Sequence, residues 1–245
     1  SSDLGLSLAF YHGGANRIVL TGSAGNDFLA TPAAVTGASV TMLGGAGDDQ
    51  LAVHGTLSGS LVVDGGAGTD TLSFTLEGTV KPAAVTGVEQ FVLAGTGGTL
   101  DLSSAAGVSL VDAWGVSGNV VVAGLTGAAT LLGGAGADTL TGSSGADLLL
   151  GGAGADQLIG AGGADTFVGG EGADSFTLAP GAAGRFLYGS VAEMGDTADA
   201  FAAGSQVWVS DAVTGAAAAA SNFKLSFLPA AIGVFPSRSV GPEPA

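Results

Sequence analysis

The chain has no cysteine, only two histidines, and five lysines and arginines against 21 acidic residues. Without Cys there is no disulfide framework, no thiolate nucleophile and no Cys-based zinc site. Only His12 and His54 offer imidazole, so Zn²⁺ or Cu²⁺ has no ligand set. A formal charge of −16 excludes nucleic acid as a partner, since that needs stripes of Lys and Arg, and it suits cation binding. No run reaches ~18 consecutive apolar residues, so no membrane span is expected. Residues 1–14 lack a basic segment followed by an apolar core, so no signal peptide is expected there. No H-E-x-x-H, no G-x-S-x-G and no Gly-rich turn followed by Lys-Ser or Lys-Thr occurs. A Ser/His/Asp triad would have to use His12 or His54, one in a short N-terminal segment and the other among turn residues. The chain is therefore expected not to be an enzyme.

What the chain has in abundance is glycine, 46 residues of it, and much of that glycine is periodic. Within residues 133–178 the chain reads GGAGADTLT, GSSGADLLL, GGAGADQLI, GAGGADTFV, GGEGADSFT, five units of nine residues in phase that end at Thr177. Each unit carries an acid at its sixth position (Asp138, Asp147, Asp156, Asp165, Asp174) and a large apolar residue two places on (Leu140, Leu149, Leu158, Phe167, Phe176). Six small residues ending in a carboxylate form a turn, because Gly tolerates positive φ and lets carbonyls converge. The last three residues suit a short strand with one side chain inward. Two units then make one coil of 18 residues, and stacked coils form two parallel sheets. Turn stacks on turn, which places Asp138 beside Asp156, Asp147 beside Asp165 and Asp156 beside Asp174. Stacked carboxylates repel unless neutralised. Carboxylate and carbonyl oxygens together are a hard donor set that favours Ca²⁺.

This stretch resembles the RTX (repeat-in-toxin) calcium-binding β-roll, whose unit is G-G-x-G-x-D-x-U-x. The resemblance implies an all-β, right-handed parallel β-roll or β-helix solenoid with Gly-Asp calcium turns and a C-terminal capping region. It also implies ligand sets: second and fourth carbonyls plus Asp from one turn, first and third carbonyls plus Asp from the turn one coil on. One ion would see Gly134, Gly136, Asp138, Gly151, Ala153 and Asp156. Another would see Ser143, Gly145, Asp147, Gly160, Gly162 and Asp165. A third would see Gly152, Gly154, Asp156, Gly169, Glu171 and Asp174. Ser143 and Ala161 depart from the family's second Gly, which makes those two turns less ideal.

The remaining chain divides around this block. Residues 1–74 hold three degenerate copies, GSAGNDFLA, GGAGDDQLA and GGAGTDTLS, with acids at Asp27, Asp49 and Asp70. Their spacings of 22 and 21 residues imply longer coils with one metal-type turn each and two further ions. Asn26 and Asp48, one place before the acid, are expected to face solvent, and His54 to lie away from the acids. Residues 75–132 lack the GGxGxD turn and read as metal-poor coils closed by Gly, Ser and Thr. PAAVTG occurs at 32–37 and again at 82–87, which suggests internal duplication. Asp101 and Asp112 are eleven apart, a spacing that would bring both near one turn stack, and Trp114 reads as packing before it reads as a sugar platform. Residues 179–245 read as a cap for the open end of the solenoid, with a region in which to seek a secretion signal and a Pro-rich disordered tail.

The order of these parts resembles RTX-type S-layer proteins of Gram-negative bacteria. That implies a secreted, extracellular or cell-surface structural protein that folds on calcium and self-associates into a surface lattice. Two alternatives stay open: the C-terminal calcium-folding and export module of a larger type I-secreted enzyme, and an adhesin or lectin whose partner is a cell-surface glycan. Ice binding needs regular Thr-x-Thr ladders, and only TLT at 139–141 is present.

Overall fold

The computed structural model describes residues 7–13, 15–31, 38–55, 59–188, 196–198, 205–209 and 233–236. It is all β, a parallel solenoid of about eight turns, as the period predicts. Three strand rows build it. The first row stacks Ala15–Thr21, Ser39–Ala46, Leu61–Ala67 and Ala84–Thr86. The central row runs from Phe28–Ala30 through Gln50–Val53, the starts of Thr71–Val80 and Gln90–Asp101, then Leu110–Val116, Thr130–Ala135, Leu148–Ala153 and Thr166–Glu171. The third row begins where those two long strands bend past Leu76 and Ala94. It continues through Val120–Ala123, Thr139–Thr141, Gln157–Ile159 and Ser175–Thr177.

The early coils use the first and central rows, the late coils the central and third. The acids stand 22 and 21 residues apart on the early coils and 18 apart on the late ones. The register of the nine-residue block is the one the sequence predicts: Thr139 lies beside Gln157 and Gln157 beside Ser175.

Alternation along each short strand sends one apolar side chain inward, and parallel stacking aligns these into ladders. Leu29, Leu51, Leu72, Phe91, Val111, Leu131, Leu149 and Phe167 form one; Leu140, Leu158 and Phe176 form the other. All are buried. At the C-terminal end the column becomes aromatic. Phe167 stacks on Phe186 at 5.1 Å between centroids, and Phe176 meets both edge-on or tilted.

Two features differ from expectation. Ser7–Gly13 folds back antiparallel onto Ala15–Thr21 and covers the first edge of the solenoid, which would otherwise offer unpaired backbone groups. The pattern also does not stop at Leu178. Arg185–Tyr188 extends the central row and Thr197–Ala198 the third; Gln206–Val209 and Gly233–Pro236 follow in parallel. The nonapeptide ends, but inward apolar residues such as Phe186 keep the next coil in register. The expected secretion signal, the tail and PAAVTG at 32–37 lie outside the described residues. Among the described residues no helix is long and apolar enough to cross a membrane.

Candidate metal centre

The acids form two columns. Asp27, Asp49 and Asp70 lie where the first row passes to the central one. In each case the acid's backbone N–H donates to Oδ1 of the acid one coil on: Asp27 to Asp49 and Asp49 to Asp70, both at 2.8 Å. Backbone bonds carry this column onward through Glu89, Ser109 and Ala129 to Asp147 and Asp165. The early degenerate acids and Asp147 with Asp165 are therefore one line, interrupted by Ser109 and Ala129. The second column is Asp138, Asp156 and Asp174, continued by Asp196, whose Oδ1 accepts the Asp174 N–H at 2.8 Å.

Five of the six-residue turns are built around the same asymmetry. Oδ1 of the acid is satisfied by the neighbouring coil. The Oδ2 atoms of Asp49, Asp70, Asp138, Asp156 and Asp165 are buried without a hydrogen-bond partner. An unmatched buried carboxylate oxygen costs about 1–3 kcal/mol or more, so a repeated one marks a place for a ligand. The first Gly of each turn shows where. A methyl group on Gly142 would lie 2.5 Å from Asp147 Oδ2 and 3.0 Å from the Gly160 carbonyl oxygen. On Gly133 it would meet Asp138 Oδ2 and the Gly151 oxygen, and on Gly151 it would meet Asp156 Oδ2 and the Gly169 oxygen. Gly22, Gly44 and Gly65 repeat the arrangement with Asp27, Asp49 and Asp70. None of these glycines has positive φ, so Gly is required there because the carboxylate and carbonyl oxygens close on its Cα.

The other glycines serve the backbone. Gly152 and Gly154 have φ of +113° and +130°, and the carbonyls of Gly134 and Gly136 press against them. Gly170, Gly172 and Gly163 stand in the same way over Gly152, Gly154 and Gly145. Among the expected carbonyl donors, Ala153 and Glu171 accept N–H bonds from Gly136 and Gly154, and Ser143 and Gly160 from Gly162. Each keeps a second lone pair. Ser at the second position has a local effect. The Ser143 N–H donates to Asp147 Oδ2 at 2.7 Å, and the Ser23 N–H to Asp27 Oδ2 at 2.6 Å, so these two turns satisfy their own acid. At Ala161 the departure instead leaves a non-glycine residue at φ +66°.

Among the described residues no three His, Cys, Asp or Glu side chains converge. A site here would take two carboxylates and complete its shell with carbonyl oxygens, a donor set that suits hard Ca²⁺ and not Zn²⁺.

Burial shapes the protonation of these acids. With no ion bound, burial pushes Asp156 and Asp165 up to about 6, and neighbouring aspartates add to the rise. Asp49, Asp70 and Asp138 are raised for the same first reason. A carboxyl raised above its unfolded value of ~3.9 lets the folded state bind more protons, so stability falls as pH rises through the folded value. The calcium-free chain is thus expected to hold more β-structure at pH 5 than at pH 7, and calcium affinity to weaken over the same window as protons compete. Circular dichroism at the two pH values checks this; less structure at pH 5 would contradict it.

Other singled-out residues fall elsewhere. Asn26 and Asp48 are exposed, as expected, yet each accepts a backbone N–H from the next coil, at 2.9 and 2.8 Å. Asn119 does the same for Ala137 at 3.0 Å. This reveals a vestigial turn at 115–120, with Val120 in the acid position. Asp101 and Asp112 do not share a turn stack. Asp101 lies at the end of a third-row segment, where Lys81 and Ser103 hold its carboxyl well below the usual range. Asp112 is on the central row and caps the Trp114 N–H. Trp114 is 64 % exposed. His54 lines a shallow outer hollow with Phe74, Val92 and Leu93, away from the acid columns. His12 lies in Ser7–Gly13, of whose side chains nothing is described.

The sequence reading missed Glu89 and Asp196. Each is followed two places on by an apolar residue whose strand position pairs with the ladder, Phe91 with Leu72 and Ala198 with Phe176, which is the acid-x-apolar signal without its glycines.

A parallel solenoid whose stacked Gly-Asp turns leave orphaned carboxylate oxygens beside converging carbonyls is a calcium-type β-roll. Residues 123–158 and 141–176 match the RTX calcium-binding nonapeptide repeat, which is present in 4 copies. This part of the chain is thus an RTX calcium-binding repeat region. A search of curated proteins found no match.

Proposed function

We propose that this chain is a secreted structural protein of the cell surface, S-layer-like, that folds on extracellular Ca²⁺ and assembles with copies of itself. What supports the calcium part is the ladder of buried, unmatched Oδ2 atoms at Asp49, Asp70, Asp138, Asp156 and Asp165, the first four with a carbonyl oxygen of the next coil closing on the same glycine. RTX repeat proteins are typically secreted, which supports the location. The six carbonyl and carboxylate ligands expected at each ion stand as the assignment of this reading. The structural role rests on the described residues forming one parallel solenoid of about eight turns.

Electron microscopy of the full chain with and without calcium tests the assembly. Ordered two-dimensional arrays only in millimolar Ca²⁺ are expected. A monodisperse monomer at high calcium would count against it.

A further inference from the structure

The nonapeptide match covers residues 123–176, and the early GGxGxD turns end at Asp70. The coil after Asp70 has no such turn. From the paired positions Asp64 and Thr86, the preceding coil reaches its acid in six residues, Gly65 to Asp70, and this coil in three, Gly87-Val88-Glu89. Yet Glu89 occupies the acid position of the column. Its Oε2 accepts the Asp70 N–H at 2.9 Å, as Asp70 Oδ1 accepts that of Asp49 at 2.8 Å. A shorter turn sets the backbone back from the column, and the extra methylene of Glu restores the reach.

The other half of the site is also present. Asp70 is fully buried, and its Oδ2 has no partner. A methyl group on Gly65 would lie 2.6 Å from that oxygen and against the carbonyl oxygen of Gly87. The Gly65, Asp70 and Gly87 geometry is therefore that of Gly133, Asp138 and Gly151. Among the described residues neither Asp70 nor Glu89 pairs with Lys or Arg; Lys81, the nearby cation in sequence, is engaged by Asp101.

We propose that Asp70 Oδ2, the Gly87 carbonyl and Glu89 hold a further Ca²⁺, a site closed by glutamate from a truncated turn, outside the recognisable repeat. This rests on the calcium reading of the columns. It makes Glu89 the end of the N-terminal ion line, because the next positions, Ser109 and Ala129, carry no charge.

The test counts bound calcium per full-length chain by equilibrium dialysis. Glu89→Gln keeps an acceptor for the Asp70 N–H but removes the charge, and is expected to bind one ion fewer than the parent. Asp64→Asn removes an exposed acid bonded to Thr86 on the same coils, and is expected to bind the parental number. Parental stoichiometry in Glu89→Gln, or an equal loss in Asp64→Asn, would overturn the site. Should Glu89→Gln not fold, Glu89→Asp keeps the charge while shortening the reach. It is expected to weaken one ion at least tenfold, and an unchanged isotherm would overturn the proposal. A parent chain that binds no calcium would instead defeat the calcium reading as a whole.

Discussion

Removing calcium with EGTA is expected to abolish most of the β-sheet circular dichroism of this chain, and millimolar Ca²⁺ to restore it. The acids that must stack are buried, so without ions each coil added brings another carboxylate into a line of like charges and leaves its Oδ2 unmatched. Binding confined to the folded state converts directly into stability. Extracellular calcium modules bind at about 10⁻⁴–10⁻³ M, so an ion at ten times its dissociation constant contributes about 1.4 kcal/mol. The five ions assigned to the GGxGxD turns would together contribute about 7 kcal/mol, comparable to the whole net stability of an ordinary domain. Calcium is then a condition of folding, and a chain made at low calcium stays open. Identical spectra in EGTA and in calcium would refute this.

Gly151→Ala is expected to have the largest effect of any single methyl group. Two opposing terms decide its sign. Replacing Gly by Ala at a position of ordinary φ usually stabilises by about 0.4–1 kcal/mol, because the unfolded chain loses freedom. Gly151 has ordinary φ, so that gain applies. Against it, the new methyl would sit on Asp156 Oδ2 and 2.6 Å from the Gly169 oxygen, and so displace two oxygens expected to hold an ion. Losing one ion costs about 1.4 kcal/mol or more at ten times its dissociation constant, and the collision adds to it. Destabilisation wins. The calcium midpoint for folding should move up and the bound stoichiometry fall by one. A midpoint unchanged or lowered, with full stoichiometry, would show that these two oxygens hold no ion. Gly152→Ala is a weaker probe, since its φ of +113° strains any side chain with or without calcium.

Much of this was legible in the residues. A nine-residue period with one inward apolar side chain permits only a coil that stacks on itself, so the parallel solenoid, its register and its buried ladder followed from Leu140, Leu149, Leu158, Phe167 and Phe176. The chemistry was legible too, because Asp recurring on glycine turns in a chain without Cys leaves only hard oxygen ligands. Glu89 and Asp196 were not, since their turns lack the glycines that mark the period, and only the ladder positions of their neighbours place them.

The sequence by itself determined the local unit: which residues turn, which point inward and which atoms seek a cation. Only the tertiary structure decided how the units line up across a change of coil length. Asp27, Asp49 and Asp70 share a column with Asp147 and Asp165, and not with Asp138, because the solenoid exchanges its first row of strands for a third in between. The physical reason is that backbone hydrogen bonds fix each coil only on its neighbour. The line of acids therefore records every insertion along the way, and no spacing read from the sequence contains that sum.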